Sequence, residues 1–431
     1  MQQTLKQELA AARREGLITD WTQIKTASLP DNLNAALTYQ AAAQVYDTIP
    51  ATQKAADLEL LSAALKKGGD LASAAPVLQR QEVLLRLAEK ATALPGYAMK
   101  RDLSDLSELS YPEFGVARQL TRLLSLRARL ASAEGKPMDA LKDVARAARV
   151  GVQIGTECGL QAALSQIKSQ AIADQVFVQV LQQFGDRADV LEEAQKTLAA
   201  FGAPPDLRHA LQYELATVRQ GAAKMRGELP NSTFQELGLD PKMDRALRPL
   251  LVKTFLRLFD DVELDMVRCW RDFYKELSRP GVSLLRQRVE AVGKRHDHPR
   301  RTSAYYRQVN GVRLPPMVRD DSINVKFHVD VFSQLAVLVQ KATAEALLRQ
   351  QLVAVLEARL KTGVFALKLA PPLDPFSGKP LLYRMGAEGF VLYSVGENGK
   401  DDGGSDDEET ITKGLSKTTR TKDILVRYGK P

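Results

Sequence analysis

Over most of the first 293 positions, apolar residues recur at helical rather than strand spacing. Leu5, Leu9 and Ala12 form a short stripe that Gly16 ends. In LPDNLNAALTYQAAAQVYDTIP, Asp31 has the chemistry of an N-cap and Pro50 closes the helix. Between residues 70 and 93, Leu78, Val83, Leu84, Leu87 and Ala91 favour one broad face. The clearest hairpin follows. Val116, Leu120, Leu123, Leu124, Leu130 and Ala131 keep helical spacing before a Gly135-Lys136-Pro137 turn, and Leu141, Val144, Ala145, Ala148 and Val152 keep it afterwards. Two apolar faces joined by a short turn predict an antiparallel pair. Helical patterns resume at 163–184, 187–200, 205–227, 242–278 and 281–293, broken by AFGAPPD, ELPNSTFQELGLDP and SRPG.

The pattern then changes. KRHDHPRRTSAYYRQVNGVRLPPMVRDDSIN carries Pro, Gly and many Arg with no sustained period, so residues 294–322 read as an irregular basic linker, with a boundary near residue 320. From residue 323 a long helix gathers Val331, Leu335, Leu338, Val339, Ala342, Ala346 and Leu347 near one stripe and runs to about Leu360, where Gly363 offers a stop. Beyond it the period falls to two. LLYR and FVLYSVG alternate sides around the turn residues MGAEG, with Phe390, Leu392 and Ser394 on one face and Val391, Tyr393 and Val395 on the other. ILVRY at 424–428 reads as a third strand. The expected fold is mainly α: an irregular helical bundle or solenoid over 1–320, then an α+β module over 323–431 with one long helix on a three-stranded antiparallel sheet.

Two resemblances attach to these segments. The stretch from Ala128 to Ala148 resembles the join between tetratricopeptide repeats, although no period of about 34 residues is sustained. The long helix followed by DPFSGKPLLYR, a glycine turn, FVLYSVGENGKDDGG and DILVRY resembles the C-terminal half of major pseudopilins of type II secretion systems. In that family an Asp-Pro motif opens the sheet, a Tyr-Ser-x-Gly strand end follows, and an acidic, glycine-rich loop binds calcium. The resemblance covers about the last hundred residues. Nothing here matches the apolar N-terminal Phe-Thr-Leu-Ile-Glu helix that packs a pilus, so the tail reads as a borrowed module rather than a pilus subunit. The whole arrangement is similar to bacterial envelope-associated helical proteins that often begin with a membrane anchor. That similarity implies a bacterial cell-envelope location, either as a soluble region outside the cytoplasm or through an anchor removed ahead of residue 1.

Calcium has a chemical basis of its own. The ion takes six to eight oxygen ligands, which calls for carboxylates, glycines that turn carbonyls inward and fixed loop ends. ENGKDDGGSDDEET supplies Glu397, Asp401, Asp402, Asp406 and Asp407 with three glycines between two expected strands. Asp401 and Asp402 lie nearest the strand end. The spacing departs from the EF-hand template, and the same run also reads as a solvated acidic loop.

Composition narrows the remaining classes. An apolar share of 45% and a charged share of 26% in 431 residues are those of a globular chain. The net charge of +8 admits an acidic partner. Arg279, Arg286, Arg288, Lys294, Arg295, Arg300 and Arg301 beside Tyr305 and Tyr306 could contact phosphates and bases, or an anionic lipid surface, without any recognised nucleic-acid motif. His296 and His298 form a poor HxH metal pair. Cys158 and Cys269 provide no metal knuckle. No run of about 18 uninterrupted apolar residues is present. Glu214 shares a face with Leu211, Leu215 and Val218, where a carboxylate can have a raised pKa useful in catalysis; the ordinary reading is an arginine partner from a neighbouring helix or a position at the edge of the stripe. GxSxG, HExxH and GxxxxGK[ST] patterns are absent. The sequence therefore favours a non-enzymatic scaffold with a protein partner, ahead of a nucleic-acid-binding protein or a hydrolase built within the helices.

Overall fold

The computed structural model of the chain describes residues 2–24, 28–66, 68–103, 110–157, 159–211, 214–227, 263–279, 281, 283–296, 322–365, 370–386, 388–405, 408–413 and 416–430. Helices come first: α1 (Gln2–Arg14), α2 (Ala36–Asp47), α3 (Ala51–Ala64), α4 (Leu71–Arg80), α5 (Glu82–Ala93), α6 (Pro112–Ala133), α7 (Pro137–Gly155), α8 (Leu160–Phe184), α9 (Ala188–Phe201), α10 (Leu207–Leu211), α11 (Glu214–Gly227), α12 (263–277), α13 (Leu285–His296) and α14 (Ser322–Thr362). The strands β1 (Leu382–Met385), β2 (Glu388–Ser394), β3 (Glu408–Lys413), β4 (Ser416–Thr421) and β5 (Ile424–Lys430) follow. The protein is mainly α with a small α+β unit at its C-terminal end.

The turn between α6 and α7 shows how the sequence dictates the geometry. Gly135 takes a φ of +73°, its N–H donates to the Ser132 carbonyl at 3.0 Å, and the Lys136 N–H reaches the Ala131 carbonyl at 2.8 Å. This is the Schellman closure that a glycine after a helix permits. Pro137 then opens α7 at a position where its missing N–H costs nothing. Small residues set the next contact: a Cβ on Gly151 of α7 would lie 2.9 Å from the Ser169 Cβ of α8. The start of α2 differs from expectation. Asp31 sits in a separate 3-10 turn, and the Asn34 Oδ1 accepts the Ala36 N–H at 3.0 Å, so the capping chemistry lies three residues later. Pro50 precedes α3, which the periodicity did not announce.

One sheet has the order β1-β2-β5, antiparallel throughout, with Leu392 opposite Tyr383 on one side and Val426 on the other. A second sheet, the hairpin β3-β4, arises within the polar stretch where only a loop was expected.

Two large buried clusters organise the molecule. The first joins α2–α9 to Leu348, Leu352, Val353, Val355 and Leu356 of α14 and to Phe390, Leu392, Val426 and Tyr428 of the sheet. This core runs across the boundary expected near residue 320. The second joins α1, α10, α11, α12 and α13 to Phe332, Leu335, Ala336, Val339 and Ala342 of α14. At 41 residues, α14 is about 60 Å long and serves as the spine of both. Its segment Val331–Thr362 reaches a mean hydropathy of 1.2, enough by length and composition to cross a membrane, and half of that window is buried inside the protein.

Candidate functional site

The Asp-Pro motif is an anchoring point. Asp374 is 1% exposed. Its Oδ1 accepts the Phe376 N–H at 3.0 Å and the Ser394 hydroxyl at 2.7 Å, while Oδ2 accepts the Ser377 hydroxyl at 2.9 Å and the Val395 N–H at 3.2 Å. The neighbouring Pro375 carbonyl accepts from the Gln340 amide at 2.6 Å and from the Leu284 N–H at 3.0 Å. One carboxylate and one carbonyl thus tie the end of β2 to α13 and α14, and the acidic loop leaves from a fixed point.

The first part of that loop lies on the sheet. Gly403 and Gly404 take φ values of +80° and +76°, and a Cβ on Gly404 would stand 3.0 Å from Val391 Cγ1. Only a residue without a side chain reaches so near the face of Val391 and Tyr393 in this conformation. The loop is held down by Asp423, the residue before β5. Its Oδ2 accepts the N–H groups of Gly404 at 2.8 Å and Ser405 at 3.1 Å. Asp423 is 1% exposed, and its Oδ1 is buried with no hydrogen-bond partner. Burial pushes the Asp423 carboxyl above its ordinary range, the N–H groups of Gly404, Ser405 and Asp402 oppose the rise, and the nearby Asp402 charge adds to it.

The predicted ligands divide into three groups. Asp401 is consumed: it accepts from Arg384 at 3.1 Å, from the Tyr393 hydroxyl at 2.9 Å and from the Gly403 N–H at 2.9 Å. The Gly403 N–H, and then the Tyr393 hydroxyl, hold its carboxyl below the ordinary range. Glu397 forms an ion pair with Arg286 at 2.9 Å. Asp402 accepts from the Asn398 amide at 2.6 Å and stays beside Asp423. Asp406 and Asp407 lie outside the described residues. Among the described residues, no three acidic, His or Cys side chains come together at metal-binding spacing. The donors nearest the loop, Asp402, Asp423 and the carbonyls of a glycine-rich turn, are all oxygen, and one of them is a buried carboxylate oxygen without a partner. That chemistry fits a hard cation. Asp423 was visible in DILVRY, yet nothing local marked it as the residue that closes the loop.

Other candidates resolve differently. Glu214 meets a backbone group instead of an arginine: its Oε1 accepts the Leu160 N–H at 3.1 Å at the start of α8. Burial pushes the Glu214 carboxyl up, and that bond opposes the rise. His296 faces Asp272 at 3.0 Å, whereas His298 lies outside the described residues. In the basic stretch, Arg279 pairs with Glu276, Arg286 with Glu290 and Glu397, and Arg295 with Glu276, so much of its charge is already matched. Arg300, Arg301, Tyr305 and Tyr306 fall outside the described residues. Burial pushes the Cys269 thiol up to about 12, which leaves it unreactive.

A groove of about 460 Å³ between α8, α14 and β5 was not foreseen. Asp174, Lys341 and Glu345 line it together with three glutamines of α8, and none of its lining residues is a Ser, Cys or His nucleophile. The signal was isolated charges within the apolar runs of α8 and α14. Comparison with protein-family models, with curated proteins and with solved structures finds no match to this chain.

Proposed function

We propose that this protein is a non-enzymatic interaction scaffold whose helical body meets a protein partner and whose C-terminal unit carries a calcium-ordered clasp. The partner and an envelope location rest on the pseudopilin-like tail and on the similarity to envelope-associated helical proteins. The observation that supports the clasp is the buried, unpartnered Asp423 Oδ1 beside Asp402, under a loop laid onto the sheet by Gly404. Asp402 and Asp423 would hold the ion, with Asp406 and Asp407 as the further carboxylates that the sequence offers. Asp401 and Glu397 serve as struts instead, each tied to an arginine. Calcium would supply the positive charge that this closely spaced pair of acids lacks.

A ligand that binds only the folded state stabilises it, by about 2.7 kcal/mol at a hundredfold excess over Kd. Thermal melts of the full chain in calcium and in chelator test the reading. A rise of a few degrees in calcium, lost in Asp402→Ala, is the expected result. Superimposable melts would remove calcium from the account.

A further inference from the structure

The groove between α8, α14 and β5 is independent of the clasp and carries its own chemistry. Asp174 on α8 and Glu345 on α14 both line it. Asp174 is fixed from behind: Arg349 donates to its Oδ1 at 2.5 Å, is 5% exposed, and stacks 3.8 Å from the Phe201 ring centroid. Glu345 has no hydrogen bond or ion pair with any described residue. Its side chain is only partly exposed, and a carboxylate drawn partly out of water without a partner is costly. Burial, and then repulsion from Asp174, push the Glu345 carboxyl up to about 7, while Lys341 and Arg349 oppose the rise by less.

A cation between the two acids would relieve both the burial and the repulsion. Of the two cations in the lining, Arg427 already donates to the Gly404 carbonyl at 2.8 Å and Lys341 lies one helical turn before Glu345, whereas an anion entering between the acids would meet two carboxylates. A divalent metal would want about six oxygens, and no third acidic, His or Cys side chain joins the pair among the described residues. An ammonium group has three donors. Asp174 and Glu345 would take two of them, and the amides of Gln175 and Gln179, one helical turn apart on the same wall, offer acceptor oxygens for the third. The rest of the lining includes Ile172, Val178, Leu348 and Leu425, which suits an apolar body. The volume lies within the range of small-molecule sites. We propose that this groove binds a small organic cation, a primary ammonium on an apolar body, held between Asp174 and Glu345.

The test is calorimetric titration of the full chain with hexylammonium, and with hexanoate and hexanol as matched anionic and neutral probes. Saturable binding of hexylammonium alone is expected, weakened about tenfold or more by Glu345→Gln, since a charged hydrogen bond is lost. Lys341→Gln removes a competing charge from the lining and is expected to tighten binding. Because ligand and proton compete for Glu345, affinity should fall about tenfold per unit of pH below 7. Equal binding of hexanoate, no saturable binding of hexylammonium, or an unchanged affinity in Glu345→Gln would each overturn the proposal.

Discussion

Replacing Asp374 with alanine removes the acceptor for four donors at once. Two are backbone N–H groups, of Phe376 and Val395, and two are hydroxyls, of Ser377 and Ser394. The hydroxyls can rotate toward other partners, but the N–H groups are fixed by the turn and the end of β2. Each buried donor left without a partner costs about 1–3 kcal/mol, so the two amides set a loss of about 4 kcal/mol. That is a large share of the roughly 5–15 kcal/mol by which folded proteins are stable. Asp374→Asn keeps one acceptor oxygen and turns an amide N–H₂ toward the other pair of donors, for an expected loss of about 2 kcal/mol. Ser394→Ala removes one bond and should cost about 1 kcal/mol. Urea unfolding of the full chain followed by circular dichroism gives the order directly. If Asp374→Ala stays within about 0.5 kcal/mol of the parent chain, or if Asn proves worse than Ala, the motif does not anchor the sheet as described.

Further outcomes follow from other contacts. Gly403→Ala should cost about 1 kcal/mol, chiefly for its left-handed backbone, because the Arg384 guanidinium 3.3 Å from the new Cβ is the far end of a flexible side chain, whereas Gly404→Ala meets Val391 at 3.0 Å as well and should lose clearly more stability on denaturation. The Glu345 carboxyl rises from 4.5 to about 7 in the folded state, so the native chain holds the extra proton, and its stability falls as pH climbs through that interval. Glu345→Gln should therefore gain about 2 kcal/mol over the parent chain at pH 8, after allowance for solvent reaching the groove, and nothing below pH 4.5 in matched urea titrations. A fragment of residues 323–431 should unfold without a cooperative transition, because Leu352, Leu356, Phe390, Leu392 and Val426 share one core with Val176, Phe177 and Val180 of α8. A sharp calorimetric peak from that fragment would contradict the shared core.

Much of this architecture was legible because it rests on local rules. Gly135 and Pro137 mark a helix end and a helix start whatever surrounds them, and the short apolar run FVLYSVG between turn residues marks a strand, which the structure buries on both faces, with Phe390 and Leu392 in the main core. The hairpin β3-β4 was hidden because ETITK and SKTTRT lack an apolar face, although their threonines favour strands. The shared core was hidden because a break in composition at 294–322 says nothing about which faces later meet. The site suffered most from this limit. Asp401 and Asp402 are neighbours with the same local chemistry, and what separates them is Arg384, 17 residues earlier, which claims the first. Glu397 is claimed by Arg286, 111 positions away, and Asp423 closes the loop from 18 to 19 positions beyond it.

The central claim is that the loop between β2 and β3 is clasped by an ion at Asp402 and Asp423. Calorimetric titration of the metal-freed full chain with calcium tests it most directly. Saturable binding of a single ion per chain, lost in Asp423→Ala and in Asp402→Asn but kept in Asp401→Ala, is the predicted result. No saturable binding in the parent chain, or binding that depends on Asp401 and survives without Asp423, would contradict it.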